Sequence, residues 1–381
     1  MISNRKQIRI CIVDFHITSL FFPQMEIPHG GAEVQLFLLS KAFSNNKNFD
    51  VNIIAGDYNL KQRKTKKYKN IKVHIIIALN RNAIFPIKNY ILLLVKLIKL
   101  KPDIIIQRSS TPKTGVIAFY CKIFKKKFVY SIASDYDVNG VSAKGILGNL
   151  YTFGLTRASY IIAQNLNQIK ILEKWQNRKF FNISVIKSGY HIIPPNLEMK
   201  NTVLWVARAV RWKRPEIYLK IVDFFPNQTF IMICNKGTNI EYWKEIKEKA
   251  CKIPNLTFIP FVLFEKINKY FENAKVFINT STHEGFPNTF IQAAKNKIPI
   301  LSLNVNTDKF ITKYECGFFC DNKFKKMVKN LEILLTNQDL YDKFSENAFK
   351  YVKEQHDINK ISKKWMDLLF ELYKSSQYCL I

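Results

Sequence analysis

TSTHEGFPNTFIQAAKNKIPIL, residues Thr280–Leu301, follows an apolar run at Lys275–Asn279 that reads as a buried strand. It opens as a short polar turn carrying Glu284 and Gly285, enters a helix near Pro287, and ends in a second strand at Ile298–Leu301. Pro suits the first helical turn, because its missing N–H had no partner there anyway. The backbone N–H groups of Gly285, Phe286, Asn288 and Thr289 then lie at the positive end of the helix dipole, a ready place for phosphate. Glu284 stands one step outside, where a carboxylate can accept sugar hydroxyls beside a bound diphosphate. Strand-loop-helix units of this kind hold nucleotides in open α/β sheets.

The same alternation extends in both directions. Strands are expected at Ile8–Asp14, Val51–Ala55, Val73–Ile77, Asp103–Gln107, Phe128–Ile132, Tyr160–Ala163 and Ile183–Ile186. Helical patterns separate them at Ala32–Phe43, Ile87–Leu100, Lys113–Phe124, Lys144–Arg157 and Gln168–Trp175. A break with Gly189 and Pro194-Pro195 follows, and strands resume at Val203–Val206, Thr229–Ile233, Leu256–Pro260, Val276–Asn279 and Ile298–Leu301. Long helical patterns fill Lys323–Tyr373. Alternation of this kind implies right-handed βαβ units and parallel sheets. The expectation is an α/β chain of two doubly wound, Rossmann-like domains facing a central cleft. Their expected boundaries are 1–192 and 193–364, with 365–381 as a final helix packing back on the first domain.

Two further segments bear on chemistry. Gly30-Gly31-Ala32-Glu33 opens the helix that runs to Phe43, and glycine lets a backbone approach a ligand closely. Val203-Leu-Trp-Val-Ala-Arg-Ala-Val-Arg-Trp-Lys-Arg-Pro215 is a strand, a loop with four cations and a helix start. Positioned cations stabilise the charge that develops on a leaving diphosphate.

Taken in this order, these residues resemble the retaining, two-domain glycosyltransferases of the GT-B fold, family 4 in the usual sequence classification. Glu284-Gly-Phe-Pro-Asn-Thr, then an apolar helix and a Pro-hydrophobic strand, is close to that family's Glu-x7-Glu signature. The second Glu is Gln292 here, which offers ribose hydroxyls one acceptor and one donor but no charge. The resemblance implies that Glu284 acts near the transferred sugar, Gln292 on the ribose, and Arg208 and Lys213 on the diphosphate. It also sets Gly30 and Gly31 against the diphosphate from the other domain. The family usually has Gly where Ala207 and Arg214 stand, and Arg211 or Arg214 could share the cationic role. Asn255–Phe261 is similar to the strand and loop that meet the nucleobase, which assigns Phe261 there; core packing explains its side chain equally well.

Many members carry a sugar-contacting His in the loop after the fifth strand. Here Asp135 or Asp137 of Tyr130-Ser-Ile-Ala-Ser-Asp-Tyr-Asp137 stands in its place, on the sugar or the acceptor hydroxyl, or simply caps the loop. The Asp-x-Asp spacing is shared with metal-dependent enzymes of the other major fold, but no metal or cofactor is expected. His29 and His283 each precede a glycine element and are candidate donors to a diphosphate, or partly exposed loop residues.

Composition bounds the partners. The chain has 381 residues, room for two domains, and a net charge of +30. Residues 1–190 hold 30 Lys and Arg against 9 Asp and Glu, so the excess concentrates in the first half. A solvated basic face, an anionic membrane surface and nucleic acid compete to explain it, and AT-rich coding bias inflates Lys as well. No nucleic-acid module is recognisable, so nucleic acid is not an expected partner. No run reaches the roughly 18 uncharged apolar residues of a membrane span. Tyr90–Leu100, with Ile91, Leu94, Val95 and Ile98, suits an amphipathic helix packed on its own sheet or lying on a membrane. Seven scattered Cys without Cys-x2-Cys pairs argue for reduced thiols in a cytosol.

The reading is a metal-independent, hexosyltransferase-like retaining enzyme in the cytoplasm, either free there or peripheral on the inner face of the membrane. Its expected donor is a UDP- or GDP-sugar and its acceptor a surface polysaccharide or lipid-linked glycan. The rival is an inactive GT-B relative that binds nucleic acid or anionic lipid.

Overall fold

The computed structural model describes residues 7–60, 63–79, 87–195 and 200–378. The chain forms two units, one of Met1–Gly189 with Ile358–Ile381 and the other of Tyr190–Asp357. The sequence boundaries at 192 and 364 fall later than these passages. At the return, only His356 and Asp357 separate the helices Gln338–Gln355 and Ile358–Tyr378, too short a break to read as a boundary.

In the first unit the strands are β1 Ile8–Val13, β2 Phe49–Asp57, β3 Lys64–Tyr68, β4 Ile71–Ala78, β5 Ile104–Arg108, β6 Lys127–Ser131, β7 Tyr160–Ala163 and β8 Ile183–Val185. They lie in the order β3-β4-β2-β1-β5-β6-β7-β8. Only β3 is antiparallel among the described pairs. Successive residues Ile104, Ile105 and Ile106 are all fully buried, as a strand covered on both faces requires. β3, KTKKY, lies inside the basic run Lys61–Lys72 and carries no apolar alternation. It is an edge strand, and charge on an edge discourages pairing with another chain.

The helix Ile87–Leu100 has the expected bounds but turns a different face inward. Its buried residues are Asn89, Leu93 and Leu97, while Ile87, Ile91, Val95 and Ile98 are 42–61% exposed. Apolar residues lie nearly all round this helix, so periodicity alone could not choose its face. Asn89 chooses it: its Oδ1 accepts from Ala78 N at 3.3 Å and its Nδ2 donates to Ala78 O at 2.9 Å, pinning the helix to the end of β4.

The last helix, Ile358–Tyr378, packs on the helix Gly31–Ser44. Trp365 is buried beside Phe43, with ring centroids 6.2 Å apart, and Phe370 stacks on Phe49 at 4.9 Å. A Cβ on Gly189 would press on Ile358 and Ile361, and the Gly189 N–H donates to Gln35 Oε1 at 2.8 Å.

The second unit holds β9 Thr202–Arg208, β10 Thr229–Asn235, β11 Leu256–Ile259, β12 Ala274–Asn279, β13 Ile300–Ser302 and β14 Gly317–Phe319. All its described pairs are parallel, in the order β11-β10-β9-β12-β13-β14. The chain builds outward from β9 to β11, then restarts on the other side of β9 with β12, the doubly wound order. Trp205, Tyr218 and Phe230 anchor the core, Tyr218 donating from its hydroxyl to Val203 O at 2.8 Å. The short β14 begins at Gly317, φ +144, where a Cβ would lie 1.9 Å from Ile300 O, so only glycine lets this edge close.

Candidate active site

Strand order in the second sheet reverses between β9 and β12. Loops leaving their carboxyl ends part to opposite sides there, which is where open α/β sheets bind ligands. β9 ends at the exposed Arg208. Ala209 is buried and its N–H donates to Asn235 O at 2.8 Å, anchoring the chain to β10 before a single turn at Arg211–Lys213. Arg214 follows in the left-handed region, φ +49 and ψ 54, and Pro215 opens the helix Pro215–Val222.

β12 runs into Thr280 and Ser281, both buried, and then Thr282 to Gly285. The two loops meet. The Thr282 N–H donates to Trp212 O at 2.8 Å, and the rings of Trp212 and His283 stack 5.0 Å apart. Glu284 Oε1 accepts from Lys213 Nζ and from Ser281 Oγ, the latter at 2.8 Å. The side chains of Lys213 and Glu284 are only 18% and 11% exposed. Burial lowers the Lys213 pKa below the usual lysine value, Glu284 draws it back up, and nearby Arg208 lowers it further. A desolvated ammonium sharing one carboxylate oxygen gains strongly from a second anion.

Pro287 is the N-cap of the helix Asn288–Lys295, so the expected first-turn Pro stands one place earlier. Gly285 is buried, and the Phe286 ring lies among Phe290, Phe310, Tyr351 and His356, leaving only its backbone for a ligand. Asn288 and Thr289 are half-buried at the helix start, and Gln292 is buried on the next turn. Phe261, just past β11, is 46% exposed, which removes core packing as the account of its side chain.

Gly30, Gly31 and Asp135 lie in the first unit. Gly30 is the N-cap of the helix Gly31–Ser44, and its N–H donates to Glu33 Oε2 at 2.8 Å. His29 Nδ1 lies 3.1 Å from Ser19 Oγ. Asp135 and Asp137 occupy one short turn but do different things. Asp137 is buried and accepts from Ser110 N, Ser110 Oγ, Ala133 N and Ser134 N at 2.7–3.2 Å, so it holds the loop together. Burial raises its pKa against those bonds. Asp135 is half-buried and accepts from Gln168 Nε2 at 3.2 Å.

Several polar groups were not foreseen. At the first sheet's own reversal, between β1 and β5, buried Asp14 pairs with Lys113 at 3.9 Å. Burial pushes the Asp14 carboxyl up to about 6. Buried Arg108, at the end of β5, donates to Ser131 Oγ and Ser188 Oγ at 3.0 and 3.4 Å. Charges closing a strand were the visible signal, yet nothing in the sequence says which of them will be buried. Among the described residues, no cluster of three His, Cys, Asp or Glu side chains is placed to hold a metal ion.

Residues 191–351 match the family model described as glycosyl transferases group 1, which spans Arg208, Lys213, Glu284 and Gln292. The sucrose-phosphate synthase of Thermosynechococcus elongatus superposes with a TM-score of 0.76 at 13% identity, covering 97% of this chain and all of that one. The Anabaena protein HepE, solved in complex with UDP, gives 0.70 at 14% identity, covering 96% of this chain and all of that one. The fold is GT-B. In sequence, the capsular polysaccharide biosynthesis glycosyltransferase CapM of Staphylococcus aureus is 24% identical, covering 82% of this chain and 87% of its own. No helix among the described residues is long and apolar enough to cross a membrane.

Proposed function

We propose that the chain is a retaining glycosyltransferase that moves a hexose-like sugar from a UDP- or GDP-sugar to a surface polysaccharide or lipid-linked glycan. One observation carries the reading: a desolvated Lys213 and the Glu284 carboxylate share a hydrogen bond where the second sheet reverses. The group 1 match over the same residues supports it, as do a relative named for capsule synthesis and a fold neighbour solved with UDP.

In this reading Arg208, Lys213 and the backbone of Gly285, Phe286, Asn288 and Thr289 hold the donor diphosphate. Gly30 and Gly31 are assigned to that diphosphate as well. Gln292 takes the ribose, Phe261 the base, Glu284 a sugar hydroxyl, and Asp135 the sugar or acceptor hydroxyl. The bond between the anomeric carbon and the terminal phosphate oxygen breaks, and its electron pair leaves with the nucleoside diphosphate. The acceptor oxygen adds on the same face and its proton passes to the departing phosphate. Cations already in place at that phosphate lower the barrier without reorganising.

Lys213→Ala is expected to weaken nucleoside-diphosphate binding by about 10- to 100-fold while hardly changing nucleoside binding, as loss of one charge-assisted bond costs about 1.5–3 kcal/mol. It also leaves Glu284 facing the phosphates without its counter-charge. Titration calorimetry checks this, and equal weakening of both ligands removes Lys213 from the diphosphate site. A panel of nucleotide sugars tests the reaction itself. A raised Tm with UDP or GDP but no transfer from any donor would favour a binding protein instead.

The reading extends to an anionic membrane that presents the acceptor. The helices Ile87–Leu100 and Lys113–Ile123 pack together and leave Ile87, Ile91, Val95, Ile98, Phe119, Ile123 and Phe124 at least 42% exposed. Exposed Lys88, Lys99, Lys122 and Lys125 lie beside them. From Ile87 to Ser134 the chain has one carboxylate, Asp103, and it is paired with Arg9 and Lys126. Exposed apolar residues among these lysines suit a surface that is oily and negative.

A further inference from the structure

Arg214 holds a backbone conformation that is costly for any residue with a Cβ. At φ +49 it sits in the left-handed region, directly before Pro215, whose ring further restricts it. Glycine would adopt this conformation freely, so an arginine kept here contributes through its side chain. That side chain crosses to the other loop. Nε donates to Thr280 O at 2.6 Å, Nη2 to Ser281 O at 3.2 Å, and Nη1 to Asn322 Oδ1 at 2.7 Å.

The two carbonyls it grips belong to the residues immediately before Thr282, His283 and Glu284. Thr280 is tied from its other side, its Oγ1 accepting from Trp205 Nε1 at 2.9 Å and donating to Lys213 O at 2.6 Å. Ser281 in turn donates from Oγ to the Glu284 carboxylate. A rigid guanidinium fork thus spans consecutive carbonyls at the root of the segment that ends in Glu284, and its third arm fastens a third loop through Asn322. Lysine, with one ammonium on a flexible stem, cannot reproduce that fork.

We infer that Arg214 is a positioning residue, which sets where Glu284 stands without touching the donor. This rests on the glycosyltransferase reading above. The test compares Arg214→Gly, which relieves the backbone strain while deleting the fork, with Arg214→Lys. In Arg214→Gly, nucleoside-diphosphate affinity should stay within about threefold of wild type, because Arg208 and Lys213 remain. Turnover should fall by about 10- to 100-fold with little change in donor KM, the scale of a misplaced catalytic group. Arg214→Lys should recover part of the loss. Combined with Glu284→Gln, Arg214→Gly should add less than about threefold, since residues acting as one unit are not additive.

Wild-type turnover in Arg214→Gly would overturn the inference. So would equal losses of affinity and turnover, which would make Arg214 a phosphate ligand, or full additivity with Glu284→Gln. Amide hydrogen exchange separates this from the parent reading, because it needs no substrate. Exchange at Thr282, His283 and Glu284 should rise at least about tenfold in Arg214→Gly as the clamp opens. Unchanged exchange there refutes the clamp, whereas faster exchange in a protein that transfers no sugar keeps the clamp and removes the enzyme.

Discussion

Glu284→Gln should cut turnover by about 10²- to 10³-fold, the usual loss when one group that acts in the transition state is removed. The amide keeps the size of the carboxylate and can still bond Ser281, so the loop around it has no steric reason to move. What changes is the charge facing the sugar and facing Lys213. Affinity for the nucleoside diphosphate should therefore hold or rise, because Lys213 loses its internal counter-ion and has more to gain from phosphate. For the same reason the free variant should melt lower than wild type, since breaking a largely buried pair strands its partner. Added nucleoside diphosphate should restore more Tm to this variant than to wild type. Steady-state kinetics and melting curves with and without UDP and GDP read all three effects. Wild-type turnover would take Glu284 out of the active site, and a parallel fall in diphosphate affinity would make it a residue that positions Lys213 for the phosphates.

The second large effect is expected at the membrane. Ile91→Glu with Ile98→Glu should lower partition onto anionic vesicles by about 10- to 100-fold. Each of these side chains is about half exposed, so docking can bury only that exposed half, worth roughly 1 kcal/mol apiece at about 25 cal/mol per Å². The new carboxylates also oppose the field of nearby lysines, each of which contributes about 1 kcal/mol at an anionic surface. Salt should weaken wild-type binding, as screening sets in over about 10 Å at 0.1 M. The fold should not notice, because neither residue belongs to the buried face that carries Asn89, Leu93 and Leu97. Co-sedimentation across lipid charge and salt decides the matter. Binding indifferent to lipid charge refutes the electrostatic part, and binding indifferent to both substitutions refutes this face. No binding at all points to a soluble acceptor and returns the lysine excess to coding bias.

Strands buried on both faces, such as Ile104–Arg108 or Ala274–Asn279, were plain in the sequence because continuous apolar runs between helical patterns have few other meanings. The edges were not. Lys64–Tyr68 carries lysines with no apolar alternation, and Gly317–Phe319 is too short to show a period. Helix Ile87–Leu100 was legible in extent but not in orientation, since one asparagine reaching Ala78 outweighed the apolar stripe. Around Glu284 the residue types were visible, while their pairings were not. Nothing in the spacing of Lys213 and Glu284 says that they share a hydrogen bond, or that Asp137 is tied into its loop while Asp135 is held by Gln168. Arg214 was visible only as a cation where glycine is usual, and its use of that place depends on a dihedral angle no sequence displays.

The second unit is threaded between two pieces of the first, and this constrains how the molecule can be made. On a ribosome, everything up to Gly189 emerges long before the helix that completes its packing. Phe43 and Phe49 must wait, without their final cover, until Trp365 and Phe370 arrive from the far side of an intervening unit. A nascent chain in that state shows an aromatic surface to chaperones and to its neighbours, and vectorial synthesis prolongs the exposure. Premature termination anywhere before Trp365 would leave that surface open for good. The turns that carry Trp365 and Phe370 therefore close the first unit's aromatic core only after the second unit has been made.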